Sequence, residues 1–354
     1  MSANPPAEAH RSKSRNHLLI LPEDARPRRT LSRGPRASVL LNLSLSIYVD
    51  SASQGNLTLA ALKDAARVAV YLVATVLVGA LLAPCLFWAA QALAGHGQFS
   101  FLAKYDFETF FHRALLVAAV ILLWPLVRAL NVRKLTDLQL ETNQRWRSDL
   151  IAGFVLSTAP LLCCGAILLA TPVFSIRGAI NWPSFVKLVA ATAFVPIIEE
   201  TFFRGLILGV LLKTGRRWMS IFVTSALYSI VHFLKAPEQT SVTVTWMSGF
   251  KSIANALVQF ADPLLVAAGF TTLLLIGWIL AEARLQTRSL WLPIGLHAGW
   301  IFAAGGFNKI VRHDLILLPW LGKNLLIGII PLAVACLTWL LMRGWLKYVS
   351  AGKT

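Results

Sequence analysis

Long apolar runs separated by short basic or polar connections set the pattern of this chain. A helix needs about 20 apolar residues to cross the hydrocarbon of a bilayer. Eight stretches reach or approach that length, at 67–94, 112–131, 149–176, 184–212, 217–235, 263–283, 289–307 and 324–346. The predicted fold is therefore all-α, a polytopic transmembrane helical bundle with about eight spans. Its expected divisions are a basic, largely disordered cytoplasmic tail over 1–66, three N-terminal spans in 67–176, a core of spans over 184–307 and a last span at 324–346. Within the tail, residues 39–49 alternate apolar and polar through Leu41, Leu43, Leu45 and Ile47, a short strand-like pattern with no evident place.

Composition removes the soluble alternatives. Of 354 residues 56% are hydrophobic and only 14% charged, with a mean hydropathy of +0.65, too apolar for an ordinary soluble domain. The net charge of +17 would suit nucleic acid. The 12 Trp and the arginines at the ends of apolar runs instead fit interfacial anchoring, so the expected partner is the lipid bilayer and no nucleic acid. Arg128, Arg133, Lys134, Arg145 and Arg147, then Lys213, Arg216 and Arg217, then Arg284 and Arg288, then Arg343 and Lys347 fall in alternate connections. With an even number of spans the positive-inside rule puts both termini in the cytoplasm. The expectation is a multi-pass integral membrane protein of a bacterial cell membrane. Cys85, Cys163, Cys164 and Cys336 lie inside apolar stretches without metal or disulfide spacing and read as packing residues.

Two connections of the opposite side stand out. Trp246, Phe250, Ile253, Leu257 and Phe260 recur at helical spacing opposite Lys251, Asn255 and Gln259, an amphipathic helix that could be a tether or a substrate gate. Phe99, Phe101, Tyr105, Phe107, Phe110 and Phe111 form an interfacial aromatic cluster.

The candidate chemistry lies where charge is most costly. Glu199, Glu200 and Arg204 interrupt the fourth apolar run, and each charge at a membrane centre costs about 2.5–3.5 kcal/mol on insertion scales. Glu200 and Arg204 share a helix face at i,i+4 and can neutralise each other. Glu199 is turned about 100° away and is free to act as a base. Pro196 should kink the helix beside them and free a backbone carbonyl. His232 and His297 add two ionisable groups in the fifth and seventh runs. Gly205 with Gly209, and Gly295 with Gly299, make small-residue faces expected to bring the fourth and seventh spans together.

Glu199-Glu200-x-x-x-Arg204, Tyr228-x-x-x-His232 and His297 within Leu292-Pro293-Ile294-Gly295-Leu296-His297-Ala298-Gly299-Trp300 resemble, in order, the three motifs of the CAAX prenyl protease and bacteriocin-processing (CPBP, or Abi) family of intramembrane proteases. The resemblance covers about 184–307. It implies a peptidase in which Glu199, with His232, activates a water against the scissile carbonyl. Glu200 and Arg204 would shape the site, and His297 would hold the oxyanion. If the enzyme is zinc-dependent, Glu199, His232 and His297 become the metal ligands, since one Glu and two His form a reasonable zinc set. The inventory alone leaves both mechanisms open. The implied substrate is a membrane-associated peptide or protein, prenylated or bacteriocin-like. Two departures stand out: Tyr228 where Phe is usual, and Ile301 where catalytic members carry Asn. Isoleucine donates no hydrogen bond. That favours the alternative of a catalytically impaired CPBP-like membrane scaffold or bacteriocin-immunity protein. A proton-coupled transporter using Glu199 is a weaker third reading, because no internal repeat relates the two halves.

Overall fold

The structure, a computed structural model, describes residues 36–351 except 98, 234–242, 316 and 323, with side chains from residue 59 onward, Phe233 excepted. The basic stretch 1–35 and Lys235 lie outside the described residues. Residues up to Ala52 form one unit, helical where described, and Ser53–Thr354 form another. All contacts below belong to the second.

The bundle is all-α. The helices are α1 (Arg36–Gly95), α2 (Phe107–Ala129), α3 (Trp146–Leu168), α4 (Pro183–Glu200), α5 (Leu208–Leu212), α6 (Arg217–Phe233), α7 (Ser248–Val258), α8 (Pro263–Leu265), α9 (Thr271–Thr287), α10 (Trp291–Ile310) and α11 (Ile329–Ala351). A π-helical turn, Thr201–Ile207, joins α4 to α5, and another, Val266–Phe270, joins α8 to α9. The alternating stretch 39–49 falls within α1 rather than in a strand. Its leucines are strong helix formers, which outweighs a period of two in a segment continuous with a long helix.

Local chemistry sets several helix ends. Asp106 caps α2 by accepting from the Thr109 amide at 3.1 Å. Asp262 accepts from the amides of Leu264 and Leu265, with Pro263 at the first helical position. Arg288 in the left-handed region terminates α9.

Among the described residues five helices are long and apolar enough to cross a membrane: Leu59–Gly95, Phe107–Ala129, Trp146–Leu168, Pro263–Thr287 and Ile329–Ala351. The count of about eight spans is not reached by that measure. The three remaining segments, 184–212, 217–235 and 289–307, are helical where described, and they are the ones that carry Glu199, Glu200, Arg204, His232 and His297.

Helix α10 stands at the centre, with residues 292–300 all buried. It meets α3 backbone to backbone. A Cβ on Gly295 would lie 2.2 Å from the Leu150 carbonyl oxygen, and one on Gly299 would lie 2.0 Å from Ser157 Oγ. Thr158 Oγ1 donates to the Gly299 carbonyl at 3.2 Å. This corrects the expected role of the glycines. Gly295 and Gly299 admit α3, Gly205 faces Leu138, and Gly209 faces Arg284. A small-residue face permits close approach without specifying the partner. Helix α4 does pack on α10, α6 packs on α9, and α11 covers α3 and α9.

The basic connections gather at one end. Arg67 Nη1 donates to the Ala129 carbonyl, Lys213 pairs with Asp64, and Leu290 N donates to the Gln139 carbonyl. Trp291 Nε1 donates to the Glu141 carbonyl, and Arg343 pairs with Glu282. At the opposite end, β1 (Phe174–Ile176) and β2 (Val311–His313) form a two-stranded antiparallel ladder, with Phe174 opposite His313.

The predicted amphipathic segment is helical as α7, but it docks through its small residues. Ser248, Gly249, Ser252 and Ala256 are buried while Trp246 and Leu257 stay exposed. A Cβ on Gly249 would lie 2.1 Å from the Ala80 carbonyl oxygen. The aromatic cluster divides: Phe99, Phe101 and Tyr105 are exposed, whereas Phe107, Phe110 and Phe111 are core residues.

Candidate active site

The local fold brings the three motifs together. Helices α5 and α6 form a hairpin whose turn spans Lys213 to Arg216. Glu199 and His232 lie almost equally far along its two arms, roughly 20 Å from the turn at 1.5 Å per residue, so they stand level. The helix remains α through Pro196 and becomes π only after Glu200. The irregularity expected from proline therefore falls one turn later, directly after the paired glutamates, where π turns often mark functional positions.

Glu199 Oε2 lies 3.1 Å from His232 Nε2 and 3.8 Å from His297 Nε2. Glu200 Oε1 lies 2.8 Å from Arg204 Nη1 and 2.8 Å from His297 Nδ1. Arg204 Nη2 also donates to the Gly277 carbonyl on α9 at 3.2 Å. The neighbouring glutamates differ in access. The side chains of Glu200 and Arg204 are fully buried, whereas those of Glu199 and His232 are 26% and 28% exposed. Glu199 can meet a water or a substrate, and Glu200 cannot.

Hydrogen-bond chemistry fixes the rings. His232 Nδ1 lies 2.9 Å from the Tyr228 carbonyl oxygen, which only accepts, so Nδ1 carries a hydrogen. His232 Nε2 then faces Glu199 Oε2 at 3.1 Å. His297 Nδ1 likewise faces the Glu200 carboxylate and donates to it, leaving Nε2 aimed toward Glu199. A histidine whose far nitrogen is anchored this way has a fixed ring orientation.

Tyr228 packs as a wall between these groups. Its ring centroid is 4.1 Å from that of His232, and Arg204 Cζ sits 4.4 Å from it in a cation–π arrangement. Ile301, one turn beyond His297, is half-buried and presents no donor.

All five residues expected from the sequence, Glu199, Glu200, Arg204, His232 and His297, thus form one connected cluster. Two contributors were missed. The Tyr228 carbonyl was detectable from its i,i+4 relation to His232. The Gly277 carbonyl carries no signal in the sequence. Among the described residues no group of three or more His, Cys, Asp and Glu side chains is arranged to hold a metal ion. The zinc set considered above is brought together, with Glu199 Oε2 3.1 Å from His232 Nε2 and 3.8 Å from His297 Nε2. The four cysteines are all free.

Residues 181–303 match the family of type II CAAX prenyl endopeptidases, Rce1-like. That segment contains the three motifs and every residue of the cluster. No curated protein and no solved structure matches the chain. The protein is an integral membrane protein whose residues 181–303 are similar to type II CAAX prenyl endopeptidases.

Proposed function

We propose that the protein is an intramembrane endopeptidase that hydrolyses a peptide bond of a membrane-associated substrate with a water activated by Glu199. The observation that carries this reading is the accessible Glu199–His232 pair at 3.1 Å, backed by a wholly buried Glu200–Arg204 pair that orients His297. In the first step Glu199 removes a proton from water as the water oxygen adds to the scissile carbonyl, with His232 steering the carboxylate. The carbonyl π electrons move to oxygen. His297, protonated on both nitrogens and balanced by Glu200, donates from Nε2 to that oxyanion. The tetrahedral intermediate then collapses, the C–N bond breaks, and Glu199 returns the proton to the leaving amine. No metal is needed to balance these steps.

A lipidated C-terminal peptide is the substrate class favoured by the family match of residues 181–303, and the bilayer would deliver it. The second reading, a scaffold that keeps the fold without catalysis, draws on Ile301 alone. Cleavage of a mixed library of prenylated and unprenylated peptides, assayed in detergent with and without a strong chelator, tests the reading. Turnover that persists with chelator is expected. Turnover abolished by chelator and restored by zinc would replace the metal-free mechanism with the zinc one.

A further inference from the structure

Charged side chains buried in an apolar bundle need partners, and nearly all of those here have one. Glu108 accepts from Ser252 at 3.1 Å, and Asp149 pairs with Arg145 at 2.9 Å. Glu200 holds Arg204 and His297, and Glu282 holds Arg343 and the Trp339 indole. Arg284 is the exception. It is 4% exposed, its Nε is buried without a hydrogen-bond partner, and it pairs with no carboxylate among the described residues.

Its place in the last turn of α9 offers the attraction of a helix C-terminus, which is small beside the desolvation of an isolated guanidinium. Glu282, two residues away, is already occupied by Arg343. The surrounding connections carry exposed Lys213, Arg216, Arg217 and Arg288, of which Lys213 pairs with Asp64. Gly209 packs beside the guanidinium, where a Cβ would make ordinary contact with Arg284 Nη2 at 3.6 Å. Nearby, exposed Trp218 stacks on Trp278 with ring centroids 5.9 Å apart, the tryptophan signature of a headgroup layer.

We propose that the counter-ion of Arg284 comes from outside the chain: the guanidinium is one half of a phosphate-binding site at the basic end of the bundle, filled by the phosphate of an anionic phospholipid. The guanidinium fork suits two phosphate oxygens, and the flanking cations add long-range attraction to anionic lipid. A free phosphate ion would satisfy the same chemistry, so the test separates the two sources.

The full-length protein, stripped of lipid in a neutral detergent, is titrated with phosphatidylglycerol, with diacylglycerol of the same chains and with inorganic phosphate. Bound lipid is read by native mass spectrometry and the thermal unfolding midpoint by fluorescence. The wild type should retain phosphatidylglycerol and gain thermal stability, whereas diacylglycerol should do neither. Arg284→Gln should weaken phosphatidylglycerol binding about tenfold or more. If that variant does not fold, Gly209→Leu, which keeps the charge and crowds the guanidinium, should show the same loss. Stabilisation by inorganic phosphate alone would support the site and identify a free anion as its occupant. Equal phosphatidylglycerol binding by wild type and both variants, or an equal response to diacylglycerol, would overturn the proposal.

Discussion

Glu199 and Glu200 are neighbours in sequence with opposite surroundings, because one helical step leaves one partly exposed and turns the other into the core. Glu199→Gln should abolish turnover with little change in stability, since its side chain is a quarter exposed. Glu200→Gln should lower both. It leaves Arg204 buried without its carboxylate, a change that costs about 3–5 kcal/mol in comparable buried pairs, and it releases His297. Equilibrium unfolding of the two variants beside wild type checks this, and equal stability losses would contradict it. Ile301→Asn places an amide donor one turn from His297. Loss of such a donor costs about 10²–10³ in rate elsewhere, so this variant should cleave at least about tenfold faster than wild type; an unchanged rate would mean that Ile301 does not face the oxyanion. The motif residues themselves were legible from the cost of charge in an apolar run. The bond from Glu200 to His297 was not, because i,i+4 spacing identifies Arg204 as a partner but says nothing of a residue on another helix.

Among the elements, helical periods and lengths foretold the all-α bundle, and α7 was legible from its spacing. Partners were harder. The sequence shows that Gly295 and Gly299 lack side chains, yet only the fold shows that α3 occupies the space. Gly295→Val would put a branched side chain against the Leu150 carbonyl, where a Cβ already overlaps at 2.2 Å. Overpacking of this kind costs about 1–3 kcal/mol, and with backbone as the neighbour the upper end is expected. Gly209→Ala meets only ordinary contact at 3.6 Å and should be tolerated. Thermal unfolding of the two variants should therefore differ clearly. The π turn after Glu200 was also illegible: Pro196 warned of irregularity, but proline chemistry acts on the preceding turn and does not locate a π insertion downstream.

At the scale of the whole molecule, the alternation of basic and sparsely charged connections was readable in the sequence, and interhelical contacts gather the basic ones at one end. The other end is tied by the β1–β2 ladder, where His313 packs on Phe174 with ring centroids 4.5 Å apart. Burial, aided by Arg177 nearby, holds the His313 imidazole below its ordinary value of 6.5 against the opposing pull of Asp314. The unfolded chain therefore takes up this proton first. Stability from His313 is complete above about pH 6.5 and falls as pH drops toward the lowered folded value. The unfolding midpoint should decline between pH 7.5 and 5, and His313→Phe should flatten that decline. An unaltered slope would contradict this source of pH dependence.

The central claim is that Glu199 activates the attacking water. Its most direct test is turnover of prenylated and unprenylated peptides by the purified full-length protein, wild type against Glu199→Gln, with matched unfolding midpoints as the control for folding. Cleavage by wild type that disappears in a folded Glu199→Gln variant is the predicted result. Cleavage that survives in that variant would contradict the account.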